Sequence, residues 1–435
     1  MSELSGYKNE SLKILNNAGI SIGDLIKITT KTTEYSGNLL PRYEYSEENY
    51  IVIKLSNGYN IGIDAKNITN IQKIMGGEKP KFIPPEKPNV KESLPKIAIL
   101  GTGGTIASRI DYKTGAVNPA FSAEELYSII PELSSYANIN TELISNIASE
   151  QMNPEDWTNI AKKVIEKINE GNQGIIIGHG TDTMAYTSAA LSFALENCPI
   201  PVIITGAQRS TDRPSSDASL NMISSVIMAS KRVLNGVYLA MHSSIEDNEV
   251  SIHSGTRVRK NHTSRRDAFQ SIGIDPIAIL NQDKVTVGEE YIKNNNQFNP
   301  KIKFEENVSL LKFHPGFNSE IIDKIIELDA KGIILEGTGL GHVNSRCNKS
   351  IKKAIDSGMF VGMTSQCLQG RIKMTVYSAG RDLLNIGVIP LEDMLPETAL
   401  VKLMWAYGNY ENKEIKNIML NNIAREYTER SILGR

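Results

Sequence analysis

The chain has 435 residues, 40% of them hydrophobic and 22% charged, which is the composition of a globular protein divided into two or three domains. A net charge of −2 excludes a chain that grips nucleic acid through bulk charge, so any RNA contact has to come from a local patch or a partner. The three cysteines (Cys198, Cys347 and Cys367) form no CxxC, and the six histidines show no HExxH spacing. A disulfide framework and a metal site are therefore not expected, and a reducing, cytoplasmic setting is. The N-terminus lacks a basic stretch followed by a long apolar run, and no segment approaches the roughly 18 apolar residues of a membrane span, so neither secretion nor insertion is predicted.

Residues 1–75 read as a small β-barrel. DLIKITT, EYSGNLLPRY, NYIVIKL and YNIGID are short β-branched and aromatic runs, and SNG at Ser56 to Gly58 is a hairpin signal. Such a unit is expected to bind or dock something. Residues 76–95, GGEKPKFIPPEKPNVKESLP, have the Pro, Lys and Glu content of an extended linker.

From residue 96 the pattern becomes α/β. KIAIL (Lys96 to Leu100), GIIIGHG (Gly174 to Gly180), PVIITG and GVYLAM are continuous apolar runs, the mark of parallel strands buried on both faces. A helix is predicted from Asn153 as N-cap, with Pro154 at its first position and Glu155 and Asp156 in its first turn. Its residues Trp157, Ile160, Ala161, Val164, Ile165 and Ile168 share one face. This large unit, 96–300, ends in the polar stretch KNNNQFNPK. A smaller α/β unit, 301–435, follows, with strands in VSLLKF, GIILEG and FVGMTS and helices at about Ser319–Ala330 and Asn344–Asp356. The predicted fold is α/β, a small barrel followed by two α/β domains with mainly parallel sheets, and ligands in such sheets bind at the carboxyl ends of strands.

Three stretches carry chemistry. In ILGTGGTIAS (Ile99 to Ser108) the Lys-Ser/Thr of a P-loop is absent and Ile106 replaces the third glycine of a dinucleotide fingerprint. What remains is a turn that presents Thr102 and Thr105, either as caps of a tight strand-to-helix turn or beside backbone N–H groups able to stabilise an oxyanion. IIIGHGTDTMAYT (Ile175 to Thr187) gathers His179, Thr181, Asp182 and Thr183 at a second strand end, more polar groups than helix capping accounts for. TRVRKNHTSRRDAFQS (Thr256 to Ser271) is a polar, basic loop holding Lys260, in itself a solvated loop or an anion-binding patch.

Together these stretches resemble the L-asparaginase family of amidohydrolases. TGGTIAS is similar to the family's first signature and HGTDTMAYT to its second, and the resemblance runs from about Lys96 to the C-terminus. It implies that Thr105 is the nucleophile and that Thr181, Asp182 and Lys260 complete the catalytic group. Ser149 and Glu150, in NIASEQM, match the position that holds the substrate's amino-acid end, with Gly104 and Gly180 as flanking binding positions. Tyr112, the one tyrosine of RIDYKTGAVNP, stands where family members carry a tyrosine on a mobile loop. The implied chemistry is coherent: a threonine hydroxyl needs a base to become a nucleophile, and Lys260 is that base, with Asp182 orienting it. GTGLGHVN (Gly337 to Asn344) resembles the loop that reaches a neighbouring subunit's site, which leaves His342 as a second-subunit contact or a satisfied surface histidine.

The barrel segments look like the N-terminal domain of the D-subunit family of the archaeal glutamyl-tRNA(Gln) amidotransferase. In that family the D chain liberates ammonia from glutamine or asparagine, and a partner, the E chain, uses ATP and magnesium to activate Glu-tRNA(Gln). The resemblance implies no cofactor in this chain, a homodimer within a heterotetramer, tRNA contact mainly through the partner, and no membrane contact. The alternative is a free-standing cytoplasmic L-asparaginase with the barrel as an appendage.

Overall fold

The computed structural model describes residues 4, 6–42, 49–56, 59–76, 90–103, 108–110, 117–119, 126–127, 130–209, 215–288, 291 and 296–430. Near the N-terminus, β1 (Leu25–Thr30), β2 (Glu34–Leu39), β3 (Tyr50–Leu55), β4 (Asn60–Asp64) and β5 (Ile68–Met75) form one antiparallel sheet in the order β4-β3-β2-β1-β5. Ile26, Ile28, Leu39, Ile51, Ile53 and Ile63 fill its buried face, as the two-residue repeat of a half-buried strand requires. A helix at Asn9–Asn17, not foreseen from sequence, contributes Leu15 to this core. Among the described residues no ladder joins β4 to β5, so the sheet is covered by the helix and not closed by a seam.

The large unit begins with β6 (Lys96–Gly101), the short hairpin β7 (Ser108–Ile110) and β8 (Val117–Pro119), and β9 (Asn138–Leu143). It continues with β10 (Gly174–Gly178), β11 (Pro201–Thr205), β12 (Gly236–His242), β13 (Glu249–Ser254), the hairpin β14 (Val258–Lys260) and β15 (Phe269–Ser271), then β16 (Ala278–Asn281) and β17 (Lys284–Val287). Eight of these strands form one sheet in the order β17-β16-β13-β12-β11-β10-β6-β9. The run from β12 to β9 is parallel, and β13, β16 and β17 extend it antiparallel.

Strand residues alternate between two cores. Ile97, Ile99, Ile176 and Ile203 pack on one face with Met222, Val226 and Ala229 of the helix Ala218–Lys231. Ala98, Leu100, Ile175, Ile177, Val202 and Ile204 pack on the other, against the helices Pro154–Asn169 and Met184–Ala194. The first of those helices starts as the sequence predicts, in a capping box between Asn153 and Asp156 with Pro154 in the first turn. Because the chain steps from β6 out to β9 and then returns to lay β10 on the other side of β6, the crevice between the ends of β6 and β10 is a topological switch point.

The smaller sheet is parallel: β18 (Val308–Lys312), β19 (Gly332–Gly337), β20 (Phe360–Ser365) and β21 (Ile389–Pro390). The helices Glu320–Glu327 and Asn348–Asp356 lie near the predicted positions, the second preceded by a 3₁₀ turn at Ser345–Cys347. The two α/β units share one core, in which Phe193 stacks on Trp405 at 5.6 Å between ring centres. The N-terminal sheet meets the large unit where the Tyr59 hydroxyl donates to Glu132 Oε1 at 2.9 Å. Among the described residues no helix is long and apolar enough to cross a membrane.

Candidate active site

The ends of β6 and β10 are tied to each other by Thr102. Its backbone N–H and its hydroxyl both donate to the Gly178 carbonyl at 3.0 Å, and its side chain is buried. Thr102 therefore fastens the two strand ends and does not face a ligand. Gly103, at φ +112°, has no room for a side chain, since a Cβ there would lie 2.3 Å from the Ile147 carbonyl oxygen. Gly104, Thr105 and Tyr112 lie outside the described residues.

After β10, His179 turns inward and Thr181, Asp182 and Thr183 turn outward. His179 is fully buried, so its ring is not among the ligand-facing groups that the sequence pattern gathers at this strand end. Its Nδ1 lies 2.6 Å from the Gly180 carbonyl and its Nε2 2.9 Å from Thr187 Oγ1. Burial pulls its pKa down to about 4, so the ring is neutral at pH 7. Gly180 packs against Ser149, and the Thr183 hydroxyl donates to the Ser149 carbonyl at 2.7 Å. Ser149 is itself buried in a 3₁₀ turn, Ser149–Gln151, just before the capped helix. Glu150 occupies the same turn with its side chain exposed.

Sequence alone leaves Lys260 in a solvated loop or an anion-binding patch. In the structure it ends the short strand β14, paired with β15, three residues being too short a run for periodicity to reveal. Its Nζ donates to Thr181 Oγ1 at 2.8 Å and to Asp182 Oδ1 at 2.7 Å, with the Lys260 side chain 13% and the Asp182 side chain 69% exposed. The structure thus brings Thr181, Asp182 and Lys260 into one hydrogen-bonded group at the mouth of the crevice. Having accepted from Lys260, the Thr181 hydroxyl keeps its own hydrogen for another acceptor. A lysine so placed can exchange a proton with a group in the crevice while the carboxylate holds its head in position.

Two arginines that sequence reasoning left unassigned anchor the Lys260 hairpin. Arg257 is fully buried. It donates from Nε to the Ile272 carbonyl at 3.0 Å, from Nη1 to the carbonyls of Asp393 at 2.6 Å and Glu426 at 3.1 Å, and from Nη2 to Asp393 Oδ2 at 3.2 Å. Beside it, the Thr256 hydroxyl donates to the Ala424 carbonyl at 2.8 Å. At the other end, Arg266 donates to Asp247 at 2.5 Å, and Asp247 meets the buried His242, whose other nitrogen contacts Asn221 at 2.7 Å. The only hint of these anchors in the sequence is the density of arginine in TRVRKNHTSRRD.

Residues 96–293 match the family description "Asparaginase, N-terminal", and residues 307–419 match "Glutaminase/Asparaginase C-terminal domain". Among solved structures, the thermostable L-asparaginase from Thermococcus kodakarensis is 37% identical with a TM-score of 0.70, the match covering 77% of this chain and 99% of that one. L-asparaginase I from Vibrio cholerae is 28% identical with a TM-score of 0.68, covering 77% and 100%. Fold and site define an amidohydrolase of the asparaginase type. Nearer the N-terminus, residues 20–74 match "GatD N-terminal domain". The glutamyl-tRNA(Gln) amidotransferase D-subunit of Pyrococcus furiosus is 48% identical over 433 residues, covering 96% of this chain and 97% of that protein. That of Metallosphaera sedula is 43% identical over 435 residues, covering 99% and 98%. The chain belongs to the D-subunit family of glutamyl-tRNA(Gln) amidotransferases.

Proposed function

We propose that this chain is the ammonia-releasing component of a glutamyl-tRNA(Gln) amidotransferase, taking its nitrogen from the side-chain amide of glutamine or asparagine. The observation that carries this reading is the match to D-subunit proteins along nearly the whole chain, with residues 20–74 matched as a D-subunit N-terminal domain, whereas the matched asparaginases cover 77% of the chain. The working division is a docking unit at 1–75, a linker at 76–95, an amidohydrolase unit at 96–300 and a smaller unit at 301–435.

In the proposed cycle the Thr105 hydroxyl adds to the amide carbon while Lys260, in its neutral form, takes the hydroxyl proton. The tetrahedral oxyanion is held by backbone N–H groups. Its collapse breaks the C–N bond, Lys260 returns the proton to the departing nitrogen, and ammonia leaves an acyl ester on Thr105. Water then cleaves that ester, giving glutamate or aspartate and free Thr105. Thr181 and Asp182 orient the Lys260 head, while Ser149, Glu150, Gly104, Gly180 and Tyr112 form the substrate's surroundings.

The chain itself needs no cofactor in this scheme. ATP and magnesium act in the E-chain partner, which also provides most of the contact with Glu-tRNA(Gln), and two copies of this chain form the homodimer at the centre of a cytoplasmic heterotetramer. Ammonia release from glutamine and asparagine, measured with and without that partner and Glu-tRNA(Gln), tests the reading. Low basal release that rises when both are added supports it. Vigorous release indifferent to both would replace it with a free-standing L-asparaginase.

A further inference from the structure

The loop that carries Thr181 is braced from inside the protein by a chain of three buried side chains whose direction is fixed by chemistry. Trp157 Nε1–H has only a hydrogen to give, and it donates to Thr187 Oγ1 at 3.1 Å. The Thr187 hydroxyl is then free to donate onward, and its partner is His179 Nε2 at 2.9 Å. The Gly180 carbonyl, 2.6 Å from Nδ1, can only accept, which places the single ring proton of a neutral histidine on Nδ1 and leaves Nε2 to accept from Thr187. Every polar atom in the chain is satisfied in this one tautomer.

The consequence falls on the next peptide bond. A peptide unit is planar, and none of the described peptide bonds is cis, so the Thr181 N–H lies on the side opposite the Gly180 carbonyl. The carbonyl faces a fully buried ring, while Gly180 and Thr181 are half-buried at the crevice. The N–H is thus turned outward, and among the described residues it has no acceptor. From the other flank, Gly206 at the end of β11 presses on the same loop, since a Cβ there would lie 2.6 Å from the His179 carbonyl oxygen and 3.1 Å from Thr181 Cγ2.

We propose that Trp157, Thr187 and His179 are positioning residues that lock the Gly180–Thr181 peptide with its N–H aimed into the crevice, as a fixed donor to the negative charge that develops on the substrate's amide oxygen. This rests on the amidohydrolase reading and extends it from the crevice to a chain of residues that touch no substrate. The donor contributes most when its direction is set before the charge appears, which is what an inflexible buried brace provides.

Thr187→Val keeps the shape and removes both bonds of the middle residue, so Nε2 of the buried ring loses its donor and the ring loses the hydrogen bond that holds it against the Gly180 carbonyl. The expected result is a fall in kcat of about 10–100-fold with KM within about twofold, because only the transition state is affected. Thr187→Ser restores the hydroxyl and brings kcat back to within about threefold of the wild type. A folded Thr187→Val with wild-type kcat would overturn the proposal, as would an equal loss in the serine variant. Should the valine variant not fold, Trp157→Phe removes only the outermost donor, and a kcat equal to the wild type's would count the same way. A measurement independent of turnover is the ¹⁵N spectrum of the histidine-labelled wild type. His179 is expected to show the Nδ1–H tautomer and to remain neutral at pH 5.5, and an Nε2–H tautomer or titration near pH 6.5 would overturn the brace. If the tautomer is as expected and the wild type releases no ammonia even with its E-chain partner and tRNA, the amidohydrolase reading falls and the brace stands as a structural feature.

Discussion

Replacing Gly180 by alanine tests the link between the second strand-end loop and the proposed substrate position. The new Cβ would sit 2.7 Å from Ser149 Cβ, 2.9 Å from its Oγ and 3.3 Å from its backbone nitrogen. Carbon atoms pack at about 3.5–4.0 Å, so the two residues have to part by roughly 1 Å. Ser149 has little freedom to give way, because it is buried and its carbonyl is held by the Thr183 hydroxyl at 2.7 Å. An overpacked site of this kind costs about 1–3 kcal/mol of stability. A displacement of about 1 Å in a positioning group lowers turnover efficiency by roughly 10²-fold, or about 2.7 kcal/mol of transition-state stabilisation. The loss is expected mainly in KM, since Ser149 is assigned to the amino-acid end of the substrate and not to the reacting amide. Ammonia release followed over a range of glutamine and asparagine concentrations, beside a thermal melt, separates the two effects. A folded Gly180→Ala protein with wild-type kcat/KM would refute the assignment of Ser149.

Three further outcomes are expected. Lys260→Met removes the donor to Thr181 and Asp182 and lowers kcat by about 10²–10⁴-fold; an unchanged rate of ammonia release would take Lys260 out of the chemistry. Lys402 and Glu426 form an ion pair with both side chains fully buried, and Lys402 also donates to the carbonyls of Met419 and Asn421. Lys402→Met leaves the carboxylate without its charge partner and destabilises the fold by about 3–5 kcal/mol, read as a lower midpoint in chemical denaturation. Finally, burial lowers the pKa of both His179 and His253 to about 4. The unfolded chain takes up these protons near pH 6.5 and the folded one does not, so stability is full above pH 6.5 and is lost as pH falls toward 4. At pH 5 the loss is about 2 kcal/mol for each histidine, and equal denaturation midpoints at pH 7 and pH 5 would contradict their neutral burial.

The strands that build the crevice were legible because continuous apolar runs such as GIIIG and PVIIT leave no other reading for parallel strands, and every residue of both is buried. The helix from Pro154 was legible because its cap is written in adjacent residues. The N-terminal helix was not, since Asn9–Asn17 opens at Lys8 with no side-chain cap and mixes apolar with amide residues. Nor were β13, β16 and β17, which extend the sheet antiparallel with few strong periodic signals. In the site, spacing along the chain marks which residues fall at strand ends and says nothing of which way they turn. His179 and Thr181 are two residues apart, and one points into the core while the other meets Lys260. The partnership of His179 with Thr187 and Trp157 crosses from a strand end to two different helices, which no local pattern encodes.

The grip on Arg257 has a consequence for how the protein comes into being. Its acceptors at Asp393 and Glu426, and that of Thr256 at Ala424, all lie far downstream of the hairpin they secure. While the chain is still emerging from the ribosome, the strand bearing Lys260 can pair with β15 and be held through Arg266 and Asp247, but its Arg257 end stays without the acceptors at Asp393 and Glu426. A product that stops short of these residues carries both threonine signatures and the large sheet with the lysine hairpin fastened at one end only. The segment around residues 393–426 thus fixes one end of the lysine hairpin, so the order of synthesis separates the forming of the strands from the fastening of the base.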